Sequence, residues 1–347
     1  MATWFDLSVD NAETSWRNIR AIRADPPDAI RKRLKGERAK VFHMALEQSQ
    51  QQFASANVIG HESRPLNLFY GLSQAGRAIS AASIRLGNKP GTPESSTWSP
   101  SGHGLNFTGA LGSGGMLDHT VTVKPTTHDS FSRLARALDS PTDLGDVQLG
   151  AVMSQILELH NRYPQYLRWP ANLSTGGVHT TGPFEPGSKH QMEIALPGRD
   201  QTWTREEVCA YIKRYPALRK TEIVLDPTGA PLQSHNEGRI FLSVPAEALE
   251  NVTGPTTAQL RAAGIYRNHR VILPALGASQ DVLHPLASWW LVLFSLSMLS
   301  RYSPSDWSDV LDIRSSKIAA MVEDTLDIAL AAVPQLIAES LHSLNSS

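Results

Sequence analysis

Between Pro65 and Leu86 the chain carries two residue registers that a single helix reconciles. Gly71, Ala75, Ala78 and Ala82 recur at spacings of four, three and four, so small side chains line one face and let another helix approach closely. Asn67, Tyr70, Gln74 and Arg77 recur at three, four and three and line up as a polar stripe. Pro65 suits the first helical turn, where its missing N–H has no partner to lose. Gly87 is a natural stop. The spacing therefore predicts a helix over 65–86 that sits at the centre of the molecule.

A second long apolar run, Pro285 to Tyr302, reads as a buried helix. Its most apolar part, Pro285 to Leu299, is shorter than the ~20 residues that span a bilayer. It also carries Ser288, Ser295 and Ser297. Two more helices follow from periodicity: 28–57, capped by Asp28 and open to a break at Gly36, and 315–344, where Pro334 kinks or restarts the chain. Ser303-Pro-Ser-Asp306 opens a helix with a cap, a first-turn proline and a first-turn carboxylate. Trp4, Phe5, Leu7, Trp16 and Ile19 supply apolar surface for a docked N-terminal arm.

The texture changes at Gly87, beyond which Gly, Pro, Ser and Thr separate short runs. Leu105–Phe107, Thr120–Lys124, Met192–Leu196, Glu222–Leu225, Arg239–Val244 and Arg270–Leu273 read as strands. Helices are expected over Ser130–Leu138, Gly145–Arg162, 255–263 and after the capping box Thr204-Arg-Glu-Glu207. The expected fold is α+β and mainly helical. Residues 1–87 and 281–347 form a helical bundle, and 88–280 form an inserted block with a small antiparallel sheet.

The formal net charge of -1 argues against binding nucleic acid by bulk charge. Charge is uneven, however. Arg17 to Lys40 holds nine Lys/Arg against three Asp/Glu, and Asp306 to Glu339 holds seven Asp/Glu against two Lys/Arg. Two solvated helix faces that attract each other account for this; the alternative is an anion- or RNA-binding surface over Arg17–Lys40. Cys209 is alone, which excludes an intrachain disulfide and points to the cytoplasm. No basic run precedes an apolar one at the start, so no signal peptide is expected, and no membrane span.

Phosphate-loop, His-Glu-x-x-His, Cys-x-x-Cys and kinase motifs do not occur, so neither a cofactor nor a metal is expected. His43 and Glu47 lie one turn apart, but a zinc site takes three or four ligands. The glycine cluster Gly109 to Gly115 reads as a turn. Gly71-Leu-Ser-Gln-Ala75 nearly matches a nucleophile elbow and makes Ser73 a hydrolase candidate, although a helix through it would remove the required strand. His103, between Gly102 and Gly104, is a candidate acid, base or phosphate donor. His284 precedes the apolar helix, and Arg301 and Tyr302 end it. The candidate catalytic set is His103, Arg77, His284 and Arg301. Asn67, Tyr70 and Gln74 are the candidate ligand-binding set.

Three stretches carry a resemblance: Arg64-Pro-Leu-Asn-Leu-Phe-Tyr-Gly-Leu-Ser-Gln-Ala-Gly-Arg-Ala-Ile79, Gly102-His-Gly-Leu105, and His284-Pro-Leu-Ala-Ser-Trp-Trp290 running on to Met298-Leu-Ser-Arg-Tyr302. Together they resemble the YaaC-like family of bacterial proteins over nearly the whole chain. The resemblance implies a mainly helical cytosolic protein and no particular mechanism. Long helices with scattered Arg and His are also similar to HEPN-type helical ribonucleases. That family's mark, Arg followed after four to six residues by His, is absent at Arg77 and Arg301. The expected function is a binding or assembly component, with a protein partner or a second copy of itself, in a bacterial defence or stress system. The alternatives are a metal-independent ribonuclease in which His103 or His284 reaches an arginine through the fold, and a Ser73 hydrolase.

Overall fold

The computed structural model describes residues 11–87, 98–107, 115–123, 128–179, 185–196, 203–234, 238–251 and 258–344. Among these are eleven α-helices and small antiparallel sheets, so the fold is α+β and mainly helical. Two compact units divide the chain. One comprises Met1–Trp169, Leu276–Ser279 and Leu283–Ser347; the other comprises Pro170–Ala275 and Gln280–Val282. The division falls at 169/170, later than the expected 87/88, because the segment up to Trp169 folds with the helices of the first unit.

The first unit begins with α1 (Ala12–Ala24), whose first turn is closed by Asn11 accepting the Thr14 N–H at 2.8 Å. Trp16, Ile19 and Ile22 form its buried stripe. Trp4, Phe5 and Leu7 lie outside the described residues. The expected helix over 28–57 is divided into α2 (Asp28–Arg31) and α3 (Glu37–Val58). Gly36 separates them at φ +56°, a conformation no helix accommodates. Asp28 is the first helical residue of α2, and Pro27 occupies the cap.

The central helix, α4 (Arg64–Ala82), ends before the expected Gly87. Its last carbonyls are claimed from α3. The buried Arg38 guanidinium donates to Ala81 O (3.1 Å), Ser83 O (3.4 Å) and Leu86 O. Those groups would otherwise be left without partners at a helix end.

Strands β1 (Leu105–Phe107), β2 (Thr120–Val123) and β3 (Gly145–Gln148) pair antiparallel in that order. Phe107, Val121, Val123 and Val147 are its buried side chains. Helix α5 (Ser130–Ala137) lies between β2 and β3 in sequence and packs on α4. The single helix expected over Gly145–Arg162 is instead β3, α6 (Leu149–Met153) and α7 (Leu157–Arg162). Pairing with β2 takes the first four residues, and Ile156 adopts extended backbone between the two helices.

The second unit holds β4 (Leu173–His179), β5 (Lys189–Ala195), β6 (Glu222–Ile223), β7 (Arg239–Pro245), β8 (Leu249–Asn251), β9 (Ala258–Leu260), β10 (Gly264–Tyr266) and β11 (His269–Ile272). Its sheet runs β10-β11-β4-β5-β7-β6, with β9 joining β8 to β4. Ile240, Leu242 and Val244 alternate inward along β7, as a one-sided sheet requires. Helix α8 (Arg205–Ile212) places Val208 and Ile212 in the core that these strands share, and both halves of its Thr204/Glu207 capping box are formed. Of the helix expected over 255–263, Ala258–Leu260 is strand β9, because it pairs with Leu249–Asn251, and a turn follows at 261–262.

The chain returns to the first unit as α9 (Pro285–Tyr302), α10 (Pro304–Leu311) and α11 (Ala319–Ser343), which carries Pro334 inside it. Trp289, Trp290, Leu291, Val292, Leu293 and Leu296 are all buried, so α9 has a covered surface on every side over its middle. Packed against it and against α3, α5 and α11 is α4. Its small residues serve two neighbours. A Cβ at Gly71 would lie 2.6 Å from the Phe53 ring of α3, and one at Gly76 would lie 2.6 Å from the Trp290 ring of α9. The face through Gly71 therefore meets α3, and Gly76, outside the recognised stripe, lets α9 approach.

Candidate functional site

The sequence-predicted residues fall into three groups. Tyr70 and Arg301 come together, and His103 lies over the ring pair of Phe294 and Phe69, the chain neighbour of Tyr70. Asn67, Gln74, Ser73 and Arg77 lie along α4 without joining that contact set. His284 stands apart as a structural cap.

The meeting point is built on two buried rings. Phe69 of α4 and Phe294 of α9 contact edge-to-face, with centroids 5.5 Å apart. His103 lies 5.8 Å from Phe69 and 6.0 Å from Phe294, yet remains exposed. Next to Phe69, Tyr70 is 43% exposed. Arg301, two turns along α9 from Phe294, brings Nη1 to within 3.5 Å of the Tyr70 hydroxyl, a long contact. Its guanidinium also sits 5.0 Å from the ring of Tyr302, which is 58% exposed.

His103 is displayed by a tethered arch. Ser101 N–H donates to His128 O (2.6 Å), Ser130 N–H and Oγ donate to Gly102 O (3.0 and 2.8 Å), and Phe131 N–H donates to His103 O (3.3 Å). Asp129, buried at the cap of α5, accepts from Ser132 N–H (2.7 Å) and Ser132 Oγ (2.8 Å). The chain passes so close to this carboxylate that a Cβ at residue 104 would fall 1.9 Å from it, and Gly104 has φ +77°. Gly102 at φ +75° and Gly104 are thus both demanded by geometry, and the tethered backbone carries the imidazole to the Phe69 and Phe294 rings. Asp129-Ser-Phe-Ser132 is a helix-cap pattern visible in the sequence; its pairing with Gly102 and Gly104 is not.

Charge at this face is unbalanced. Arg17 pairs with Glu13, Arg23 with Glu47, Arg31 with Asp25 and Asp28, Arg64 with Asp327, and Arg162 with Asp324. Arg77, His103 and Arg301 have no carboxylate partner among the described residues. Asn67 and Gln74, half-buried on α4, likewise make no hydrogen bond there.

The other candidates take different places. His284 Nδ1 accepts the Leu286 N–H (3.1 Å) and its own N–H donates to Ser140 Oγ (2.9 Å), so it caps α9. The residue keeps some accessible surface, but dense packing around the ring pushes its pKa down to about 4. With that nitrogen occupied, it is no base for the Tyr70 face. Ser73 lies within the uninterrupted α4, so the strand that a nucleophile elbow needs is not formed. The Glu47 carboxylate is taken by Arg23 and Gln51, and no group of three His, Cys, Asp or Glu suited to a metal occurs among the described residues. In the Arg17–Lys40 segment, Arg17 and Arg31 pair with local acids, Arg23 pairs with Glu47 of α3, and Arg38 is buried at the end of α4. A cavity of about 280 Å³ beside Met116, Asp306, Asp309 and Ile318 contains none of the predicted residues. No helix among the described residues is long and apolar enough to cross a membrane.

Fold and site together define a mainly helical α+β protein with a polar, ring-lined face over its central helix pair. The chain belongs to the YaaC-like family: the family described as YaaC-like Protein matches residues 11–341, nearly its whole length. No curated protein and no solved structure matches it.

Proposed function

We propose that the protein is a cytoplasmic binding component whose working surface is the face bearing Tyr70, His103, Arg301 and Tyr302. The observation that carries this reading is the Arg301 guanidinium, which lies beside two exposed tyrosines without a carboxylate among the described residues to neutralise it. Elsewhere in the helical unit, arginines that stabilise the fold have acid or carbonyl partners. Exposed rings and an uncompensated cation on rigid helices favour contact with another molecule. A setting in a defence or stress system accompanies this reading through the similarity to HEPN-type proteins. The test is affinity purification of the full chain from its native cell, with bound protein and nucleic acid both identified. A Tyr70→Ala/Arg301→Glu double variant is expected to lose the partner that the natural chain retains. Equal recovery by both would refute the reading.

A metal-independent ribonuclease is the second reading, and one observation favours it: the His103 imidazole is exposed on a backbone arch tethered to α5 and lies against Phe69, the neighbour of Tyr70. Cleavage of cellular RNA by the natural chain and its loss in His103→Ala would establish it. Intact RNA in both samples would remove it.

A further inference from the structure

We infer that this face takes a short single-stranded stretch of nucleic acid, with bases against Tyr70 and Tyr302 and phosphates at Arg301 and Arg77. The inference rests on the reading of the face as the working surface and names its ligand. Three cationic or protonatable side chains, Arg77, His103 and Arg301, stand without carboxylates among the described residues. An anion is therefore the complementary charge. The tyrosines supply what a bare anion does not need, which is exposed aromatic side chains, the two residues being 43% and 58% exposed. Exposed rings interleaved with guanidinium groups are the arrangement by which single strands are held without reading their sequence.

Length decides between a free nucleotide and a strand. Arg77 is seven residues beyond Tyr70 on α4, two turns along the same side. That is about 10.5 Å of helix, more than one phosphate-to-phosphate step of a strand and so room for at least two phosphates. Asn67 and Gln74 flank Tyr70 on this stripe with hydrogen-bonding capacity unused among the described residues, available to sugar or base edges. A duplex fits poorly, since its bases are stacked inside and the chain's net charge of -1 offers little bulk attraction.

The experiment is fluorescence anisotropy of the full chain with labelled eight-nucleotide RNA and DNA of mixed sequence. Inorganic phosphate and AMP serve as competitors. The oligomers are expected to bind, and log affinity to fall with log salt at a slope of about -1 to -2. Tyr70→Ala and Tyr302→Ala should each weaken binding about 5- to 100-fold. Arg301→Ala should weaken it and flatten the salt slope by about 0.7, whereas Arg301→Lys should keep the slope. Each variant's circular dichroism melt should match the natural chain, so that a loss of binding reports the face. Absence of oligomer binding would overturn the inference, as would binding untouched by Arg301→Ala and Tyr302→Ala. AMP competing as well as the oligomer would also overturn it. Failure here, with a cellular partner still lost from the Tyr70→Ala/Arg301→Glu variant, overturns the ligand assignment alone. A partner retained by that variant overturns the working surface itself.

Discussion

Replacing His284 by Asn separates its capping role from its titration. The native ring is held neutral: its pKa falls from 6.5 to about 4 through burial. Its neutral Nδ1 accepts the Leu286 N–H at 3.1 Å. An unfolded chain binds a proton at this histidine below about pH 6.5, and the folded chain does so only near pH 4, so stability is full above 6.5 and declines as pH falls between those values. The shift sets a ceiling of about 3 kcal/mol. Partial solvent access at the ring reduces the expected loss to about 1–2 kcal/mol. Asparagine keeps an oxygen for the Leu286 N–H and does not titrate, so His284→Asn should match the natural chain within about 1 kcal/mol at pH 7.5. Urea unfolding at pH 7.5 and pH 4.5 measures both chains. The natural chain should lose about 1–2 kcal/mol more than the variant between the two pH values. His119 and His160, whose pKa values are also lowered by burial, are common to both chains and cancel in the difference. Parallel pH dependence in the two chains would refute a buried neutral cap and return His284 to the list of available bases.

Further outcomes follow from close approach and capping. Gly76→Ala places a Cβ 2.6 Å from the Trp290 ring and should cost about 1–3 kcal/mol, seen as a lower thermal midpoint. Arg38→Met strips the Ala81, Ser83 and Leu86 carbonyls of a shared donor; a loss of about 1–3 kcal/mol in chemical unfolding is expected, and an unchanged midpoint would contradict its capping role. Gly104→Ala combines φ +77° with a 1.9 Å approach to Asp129, so the arch should detach. Hydrogen exchange at the Ser130 and Phe131 amides, which hold that arch, should accelerate about tenfold or more.

Helices were legible where periodicity is long. The apolar run from Pro285 and the small-residue spacing around Gly71 each specify one conformation locally, and the strand alternation in Arg239–Val244 does the same. Legibility failed where pairing with distant residues decides conformation. Gly145–Gln148 is a strand because β2 offers a partner, and Ala258–Leu260 is one because β8 does. The candidate site shows the same division. The residue types at Tyr70, His103 and Arg301 stood out singly, but Phe69 and Phe294, on which His103 rests, read only as core.

The sequence by itself determined the central helix, its polar stripe, the buried helix from the far end and the family, because helical spacing and motif order are local properties. Tertiary structure alone decided which candidates meet. It drew Arg38 onto the end of α4 and left Arg301 beside two tyrosines without a carboxylate among the described residues. Those outcomes depend on which surfaces α3, α5 and α9 press against α4, a matter of packing between residues up to more than two hundred positions apart, as Tyr70 and Arg301 are.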